Sequence, residues 1–215
     1  MLETLQTTPI YIVALYAFVA AMTPGPNNIM LLSSGLTFGI QRTVPHMVGI
    51  ASGFLLLTTL LVFGVGAVLM AFPPFRYGLL VGGTLFMFYL AYKTFTAPTD
   101  LKQRESKRPL NFWEAAAFQF INPKTWGFGL SYMALVIGVA PEGKITFWIA
   151  FYAILCPQLA TCVSAITWAG LGRMMAQLID NPGKVRVINI ALAFTLFLMI
   201  PLMFWSELRD VLSAA

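Results

Sequence analysis

The sequence predicts an all-α membrane protein of six transmembrane helices, arranged as two inverted three-helix repeats in which helices 1 and 4 are broken. Of the 215 residues, 59% are hydrophobic and only 10% are charged, whereas a soluble domain carries roughly 25% charged residues. The apolar runs approach the roughly 20 residues that a helix needs to cross a bilayer. Prolines interrupt two of these runs at corresponding places in the two halves of the chain.

Six apolar segments are predicted to span the membrane. They cover residues 9–34, 45–72, 77–95, 112–139, 146–170 and 186–206. Pro73 and Pro74 are expected to end the second span, because proline cannot continue a helix. The first repeat then covers residues 1–97, a cytoplasmic linker residues 98–110, and the second repeat residues 111–215. Since the spans leave no room for a soluble catalytic domain, we expect a transport protein without a cofactor rather than an enzyme.

The loops predict how the chain is oriented. Nine of the thirteen Lys and Arg residues fall in loops on one side: Arg42, Lys93, Lys102, Arg104, Lys107, Arg108, Arg173, Lys184 and Arg186. The other side holds Arg76, Lys144 and Arg209. The basic side is expected to be cytoplasmic, which places both termini outside the inner membrane of a bacterium. The net charge of +5 follows from this topology, so no nucleic-acid partner is expected.

Two interruptions carry most of the functional information. The first consists of Thr23, Pro24, Gly25, Pro26, Asn27 and Asn28, and the second of Asn122, Pro123 and Lys124. A proline inside a helix costs about 3 kcal/mol, and such breaks are tolerated at membrane depth only beside protein or a hydrated cavity. A single proline such as Pro157 is more simply a kink. Paired breaks in the two halves of an inverted repeat indicate the substrate site of a transporter.

The chemistry of the two breaks suits an amino acid. Asn122 and Pro123 form a good N-cap and first helical residue, whereas Gly25 before Pro26 is a weaker cap. The restarted helices would point free N–H groups and a partial positive charge at a carboxylate. Lys124 lies roughly 18 Å into its span at helical rise, too deep for easy snorkelling to the interface. A lysine at membrane depth costs about 2.5–3.5 kcal/mol and is a functional candidate.

With these motifs the chain resembles the RhtB/LysE family of amino-acid exporters. The resemblance is carried by three groups of residues: Thr23-Pro24-Gly25-Pro26 with Asn27-Asn28, then Gly35, Gly39, Gly49 and Gly53, then Asn122-Pro123-Lys124. It implies export of an amino acid such as threonine, homoserine, leucine, or cysteine and its acetylserine precursor. It also implies that the proton gradient drives export. The nine residues from Thr23 to Asn28 and from Asn122 to Lys124 are then the expected substrate site.

The chain departs from the family at Phe54. Many members carry an aspartate near this position, and no Asp or Glu lies deep in any predicted span here. A cationic side chain would lack a counter-ion, so we expect a neutral amino acid as substrate. The residue that couples protons stays open among Lys124, His46 and Glu114. His46 is more simply explained as a solvated residue at the end of a loop, and Glu114 as an interfacial one.

Two rival classes are disfavoured and one stays open. A transmembrane thiol oxidoreductase needs reactive cysteines at its breaks, but Cys156 and Cys162 lie six residues apart in the fifth span, which is neither a CxxC motif nor one helical face. A heavy-metal exporter needs several His, Cys or carboxylate ligands in the bundle. A passive channel, or an exporter of another small metabolite, stays open, as does a homo-oligomer.

Overall fold

The computed structural model describes residues 4–65, 71–99, 108–140, 144–178 and 181–214. These ranges hold seven helices and no strand: α1 Thr4–Met22, α2 Pro26–Val62, α3 Pro73–Phe95, α4 Phe112–Ile121, α5 Pro123–Val139, α6 Phe147–Leu178 and α7 Pro182–Ala214. Most of the predicted linker, residues 100–107, lies outside the described residues. Within the described ranges, three helices are long and apolar enough to cross a membrane, namely α2, α6 and the Pro182–Pro201 part of α7.

Both predicted helix breaks are present. Helix α1 ends at Met22 and α2 begins at Pro26, whereas only Asn122 separates α4 from α5. Each break therefore lies in the first helical segment of its half. A proline opens each restarted helix, because the first N–H groups of a helix have no intrahelical acceptor and proline removes none that is needed.

The turn between the first two predicted spans lies at Gly39, inside the loop predicted between residues 34 and 45. Two helical segments of α2 meet there, because Gly39 has a φ of 77° and a ψ of 172°, which interrupt the helical geometry. Such a positive φ favours glycine, which has no Cβ. The Thr43 hydroxyl donates to the Gly39 carbonyl at 2.7 Å and lies 2.7 Å from the Ser34 hydroxyl. Along one straight helix Ser34 and Thr43 would lie about 13 Å apart, so the chain turns back at Gly39, and Arg42 lies beside this turn.

The second helix also ends earlier than the sequence predicts. It stops at Val62 rather than Phe72, and Gly64 follows with a positive φ of 78°. Residues 66–70 lie outside the described part of the chain. Pro73 begins α3 instead of ending the second span. A proline can stop one helix or start the next, and composition alone does not decide between them.

Helix α2 packs closely against both α6 and α4. A Cβ on Gly35 would overlap the carbonyl of Ala169, and a Cβ on Gly172 of α6 would overlap the carbonyl of Leu32. These two glycines therefore let the backbones of α2 and α6 approach each other reciprocally, as small residues do in membrane helix pairs.

A similar contact joins α2 to α4 across the two halves of the chain. A Cβ on Gly49 would overlap the Phe112 carbonyl, and one on Gly53 would overlap the Ala116 carbonyl. Helix α2 thus lies at the centre of the bundle and contacts the second half on two sides. The site described below is built around the N-terminal end of this helix.

The surface of the bundle is apolar where a soluble protein would be charged. Leu85, Trp113, Phe147, Trp148 and Leu178 are each between 65% and 80% exposed. Extended apolar surface of this kind marks contact with lipid or with another protein. Together with the apolar helices, it is the surface of a protein that sits in a bilayer.

The close contact between α2 and α6 makes a testable prediction for Gly35. We expect Gly35→Ala to lower the free energy of unfolding by about 1–3 kcal/mol, because the new methyl group overlaps backbone that cannot move away. Gly170→Ala is the matched control, since a Cβ there meets no atom within 4 Å, and it should be neutral or stabilising by up to about 1 kcal/mol. Thermal unfolding of both variants in detergent measures this. Equal stability of the two variants would contradict the close packing.

Candidate functional site

Lys124 connects the second break to the first. Its Nζ donates to the Thr23 carbonyl at 2.7 Å and to the Thr23 hydroxyl at 3.1 Å, with the Pro24 carbonyl at 3.4 Å. The ammonium therefore sits at the C-terminal end of α1, where the last carbonyls of a helix have no intrahelical donor. A positive charge is stabilised at that end by the helix dipole.

Gly25 makes room for this lysine. A Cβ at position 25 would lie 2.5 Å from Cδ and 2.7 Å from Nζ of Lys124, so any larger residue would displace the side chain. Gly25 is also the N-cap of α2, and it provides no side-chain cap. The start of α2 therefore keeps N–H groups without an intrahelical or side-chain acceptor.

Asn28 and Ser164 hold the end of α1 from the other side. The Asn28 amide donates to the carbonyls of Ala21 and Thr23, both at 2.8 Å. The Ser164 hydroxyl of α6 lies 2.7 Å from the Ala21 carbonyl and 3.3 Å from the Asn28 amide oxygen. The carbonyls that the break frees are thus satisfied by side chains of three different helices.

A reciprocal amide pair joins α2 to α4 beside the breaks. Asn27 donates to the Gln119 amide oxygen at 2.8 Å, and Gln119 donates back at 3.3 Å. Gln119 is fully buried and also donates to the Ala115 carbonyl at 2.9 Å. The pair fixes the start of α2 against the end of α4.

The start of α5 is satisfied locally, unlike that of α2. The Asn122 amide oxygen accepts from the Lys124 backbone N–H at 3.1 Å, which confirms the predicted N-cap. The Asn122 N–H donates to the Phe118 carbonyl at 2.8 Å, and the Trp126 indole donates to the Phe120 carbonyl at 2.8 Å. The two half-helix starts therefore differ: that of α5 is capped, and that of α2 is open.

The two breaks border a cavity whose empty space, including its opening to solvent, is about 550 Å³. Five of the nine predicted site residues line it: Gly25, Asn27, Asn28, Asn122 and Lys124. The other four, Thr23, Pro24, Pro26 and Pro123, shape the backbone beside it without lining it. Among the described residues that line the cavity, Lys124 carries the only formal charge.

An aromatic wall bounds the same cavity. Phe54 is only 7% exposed and lies against Phe128, with ring centroids 5.9 Å apart. Phe128 in turn stacks on Tyr16 at 5.7 Å and on Tyr132 at 5.3 Å. Phe54, which stands where many members of the resembled family carry an aspartate, thus contributes apolar surface to the site.

Sequence reasoning missed several residues of the site. Gln119 could have been found, because it is a lone amide in the apolar helix before the second break. Ser164, Thr161 and Phe128 also line the cavity, but they look like ordinary residues of apolar helices. No local signal in the sequence separates them from packing residues.

His46 and Glu114 lie away from this cavity. His46 is only 1% exposed and belongs to α2, so the interpretation as a solvated residue at a loop end is wrong. The error concerns its burial, because His46 lies near the start of the helical segment that follows the turn at Gly39. Glu114 forms a capping box with Asn111 at the start of α4 and a two-pronged ion pair with Arg108, at 2.7 and 2.9 Å.

A membrane-type helical bundle with two proline-broken helices around a small, partly polar cavity has the architecture of secondary transporters. The family of LysE type translocators matches residues 18–204, and the chain therefore belongs to this family. A cysteine/O-acetylserine efflux protein of Escherichia coli O157:H7 is 34% identical over 182 residues, which are 84% of this chain and 90% of that protein.

A second relative gives the same picture. The cysteine/O-acetylserine efflux protein of Shigella flexneri serotype 5b (strain 8401) is 33% identical over 192 residues, which are 88% of this chain and 95% of that protein. No solved structure matches the chain. Family membership confirms the resemblance inferred from the sequence motifs.

The hydrogen bonds from Asn28 to the end of α1 predict opposite effects on stability for two buried asparagines. Asn28→Leu should lower the free energy of unfolding by about 1–3 kcal/mol, because it removes two hydrogen bonds and leaves the Ala21 and Thr23 carbonyls with one donor each. Asn189 of α7 is also buried, but neither amide atom has a hydrogen-bond partner in the described part of the chain. Asn189→Leu should therefore be neutral or stabilising. Chemical unfolding in detergent compares the two variants. A greater loss of unfolding free energy for Asn189→Leu than for Asn28→Leu would contradict the stabilising role of the Asn28 hydrogen bonds.

Proposed function

We propose that this protein is a secondary transporter that exports a small neutral amino acid or an amino-acid derivative. Cysteine and O-acetylserine are the first candidates, because the relatives described above are efflux proteins for these compounds. The observation that carries the proposal is the position of Lys124. Its ammonium lies beside the open start of α2, on a cavity that both helix breaks border.

The carboxylate of the substrate would bind at the start of α2. The N–H groups of Asn27 and Asn28 have no intrahelical acceptor, and a helix N-terminus attracts anions. A lysine ammonium has three donors, and Thr23 accepts two of them at short distance. The third is only weakly engaged, at 3.4 Å from the Pro24 carbonyl, and can turn to a carboxylate. Asn122, which caps α5, would hold Lys124 in place.

The rest of the cavity favours a small neutral side chain. The central cavity is small and its lining is mostly apolar, as is usual for small-molecule sites. Phe54, Phe128 and Leu31 provide apolar walls, and the hydroxyl groups of Thr161 and Ser164 add limited polarity. A cationic side chain would find no carboxylate among the described residues that line the cavity.

Transport would follow an alternating-access cycle. The two inverted three-helix repeats, residues 1–97 and 111–215, would rock against each other around the fixed site, with proton antiport as the driving force. The glycine contacts of α2 with α4 and α6 support such sliding. The basic loops would face the cytoplasm and both termini the outside. A membrane-impermeant reagent that fails to label a cysteine introduced near Met1 in intact cells would contradict this orientation.

Efflux from liposomes tests the function directly. Purified protein is reconstituted into liposomes loaded with labelled O-acetylserine, cysteine, serine, threonine or leucine, and efflux is followed with and without a pH gradient. Saturable efflux of one compound, accelerated by the gradient, is expected. Lysine and arginine should compete poorly; if either competes best, the neutral substrate class is wrong. Flux that neither saturates nor responds to the gradient would favour a passive channel.

The same assay tests Lys124. Lys124→Met keeps the length of the side chain and removes its charge, so insertion should persist while efflux falls at least 100-fold, corresponding to about 2.7 kcal/mol. Lys184→Met is the matched control, because Lys184 is exposed at the start of α7 and should transport normally. Normal efflux by Lys124→Met would exclude this lysine from the substrate site.

A further inference from the structure

A second cavity lies on the other side of the N-terminal half of α2. Its empty space, including the opening to solvent, is about 440 Å³, and it lies between α2, α3 and the segment 108–110. Its polar lining includes Ser33, Ser34, His46, Lys93, Thr94 and Arg108. Met30 and Ser33 of α2 line this cavity, whereas Asn28 and Leu31 line the central one. One helix therefore separates two cavities, and both have a lysine in their lining.

His46 lines this second cavity with a ring nitrogen, Nδ1, that has no hydrogen-bond partner in the described part of the chain. It is the single histidine of the chain and is only 1% exposed. Buried polar atoms are nearly always paired in native proteins. A nitrogen without a partner, on a cavity wall, indicates a ligand that supplies one.

The charges at this cavity favour an anion. Glu114 is the acidic partner of two cations: Arg108 at 2.7 Å and Lys93 at 3.9 Å. The backbone N–H of Asn111 also donates to the Glu114 carboxylate, at 2.7 Å. One carboxylate neutralises only one of the two cations, so a net charge of +1 remains on these three described side chains. This excess matches a monoanion, and Glu114 disfavours a dianion such as phosphate.

We propose that the second cavity binds the carboxylate of the transported amino acid before it reaches the central site. The carboxylate would lie between His46 Nδ1, acting as a hydrogen-bond donor, and the cations Lys93 and Arg108. The segment of the chain that closes this cavity, 108–110, belongs to the basic linker, which places the site on the proposed cytoplasmic side. The identity of the ligand as an amino acid rests on the proposed function; the recognition of a carboxylate does not.

Because the chain has a single histidine, its imidazole reports on this cavity without assignment. The protein is labelled with 15N-histidine, purified without a histidine tag and titrated with acetate at constant pH and ionic strength, with chloride as the balancing anion. We expect a saturable change in the imidazole 15N shifts. Acetamide, which has the shape of acetate without its charge, should produce no comparable change. The absence of a saturable acetate shift, or an equal shift with acetamide or phosphate, would overturn the proposal.

Four variants locate the signal. Lys93→Met and Arg108→Gln should each weaken the apparent acetate affinity at least tenfold, and using both guards against misfolding of either one. Lys184→Met, which removes a cation away from the cavity, should leave the affinity unchanged. Lys124→Met should also leave it unchanged, although it abolishes efflux. Loss of the acetate response in Lys184→Met or Lys124→Met would show that the signal does not come from this cavity.

Discussion

The structure depends on satisfying the carbonyls that are freed where α1 ends inside an apolar bundle. Protein groups provide donors to the carbonyls of this break, as a break at membrane depth requires. Lys124, Asn28 and Ser164 converge on the carbonyls of Ala21 and Thr23. Two of these three donors come from the second half of the chain. The first break is therefore stable only when both halves are assembled around it.

As a result, polar contacts between the two halves are concentrated at the breaks, where the halves would move against each other. The Asn27–Gln119 pair and the Lys124–Thr23 bonds cross between the halves at the breaks, whereas glycine-mediated backbone contacts dominate further along α2. Hydrogen bonds to a mobile ammonium can be exchanged for bonds to a ligand at little net cost, because both states satisfy the donors. A carboxylate that competes for Lys124 would thus act directly on the contact between the halves.

The sequence predicted the parts of the site that are chemically unusual in a membrane helix. Prolines, an asparagine cap and Lys124 stand out because each is costly in an apolar span unless it has a role. Gln119 and Ser164 were missed because their importance depends on which helix faces which. The turn at Gly39 falls inside the predicted loop, but the sequence did not show how short this turn is. The burial of His46 was missed because it depends on which helices pack around it.

The two half-helix starts show why the breaks are similar in sequence but not equivalent. Asn122 caps α5 with its own side chain, and a comparable side chain at Gly25 would cap α2 in the same way. Yet even a Cβ at position 25 would collide with Lys124. A capping side chain at position 25 and the observed position of the Lys124 side chain therefore exclude each other. In this protein the lysine occupies the space. What results is a helix start that stays open to an anion, next to the single formal charge that lines the central cavity in the described structure.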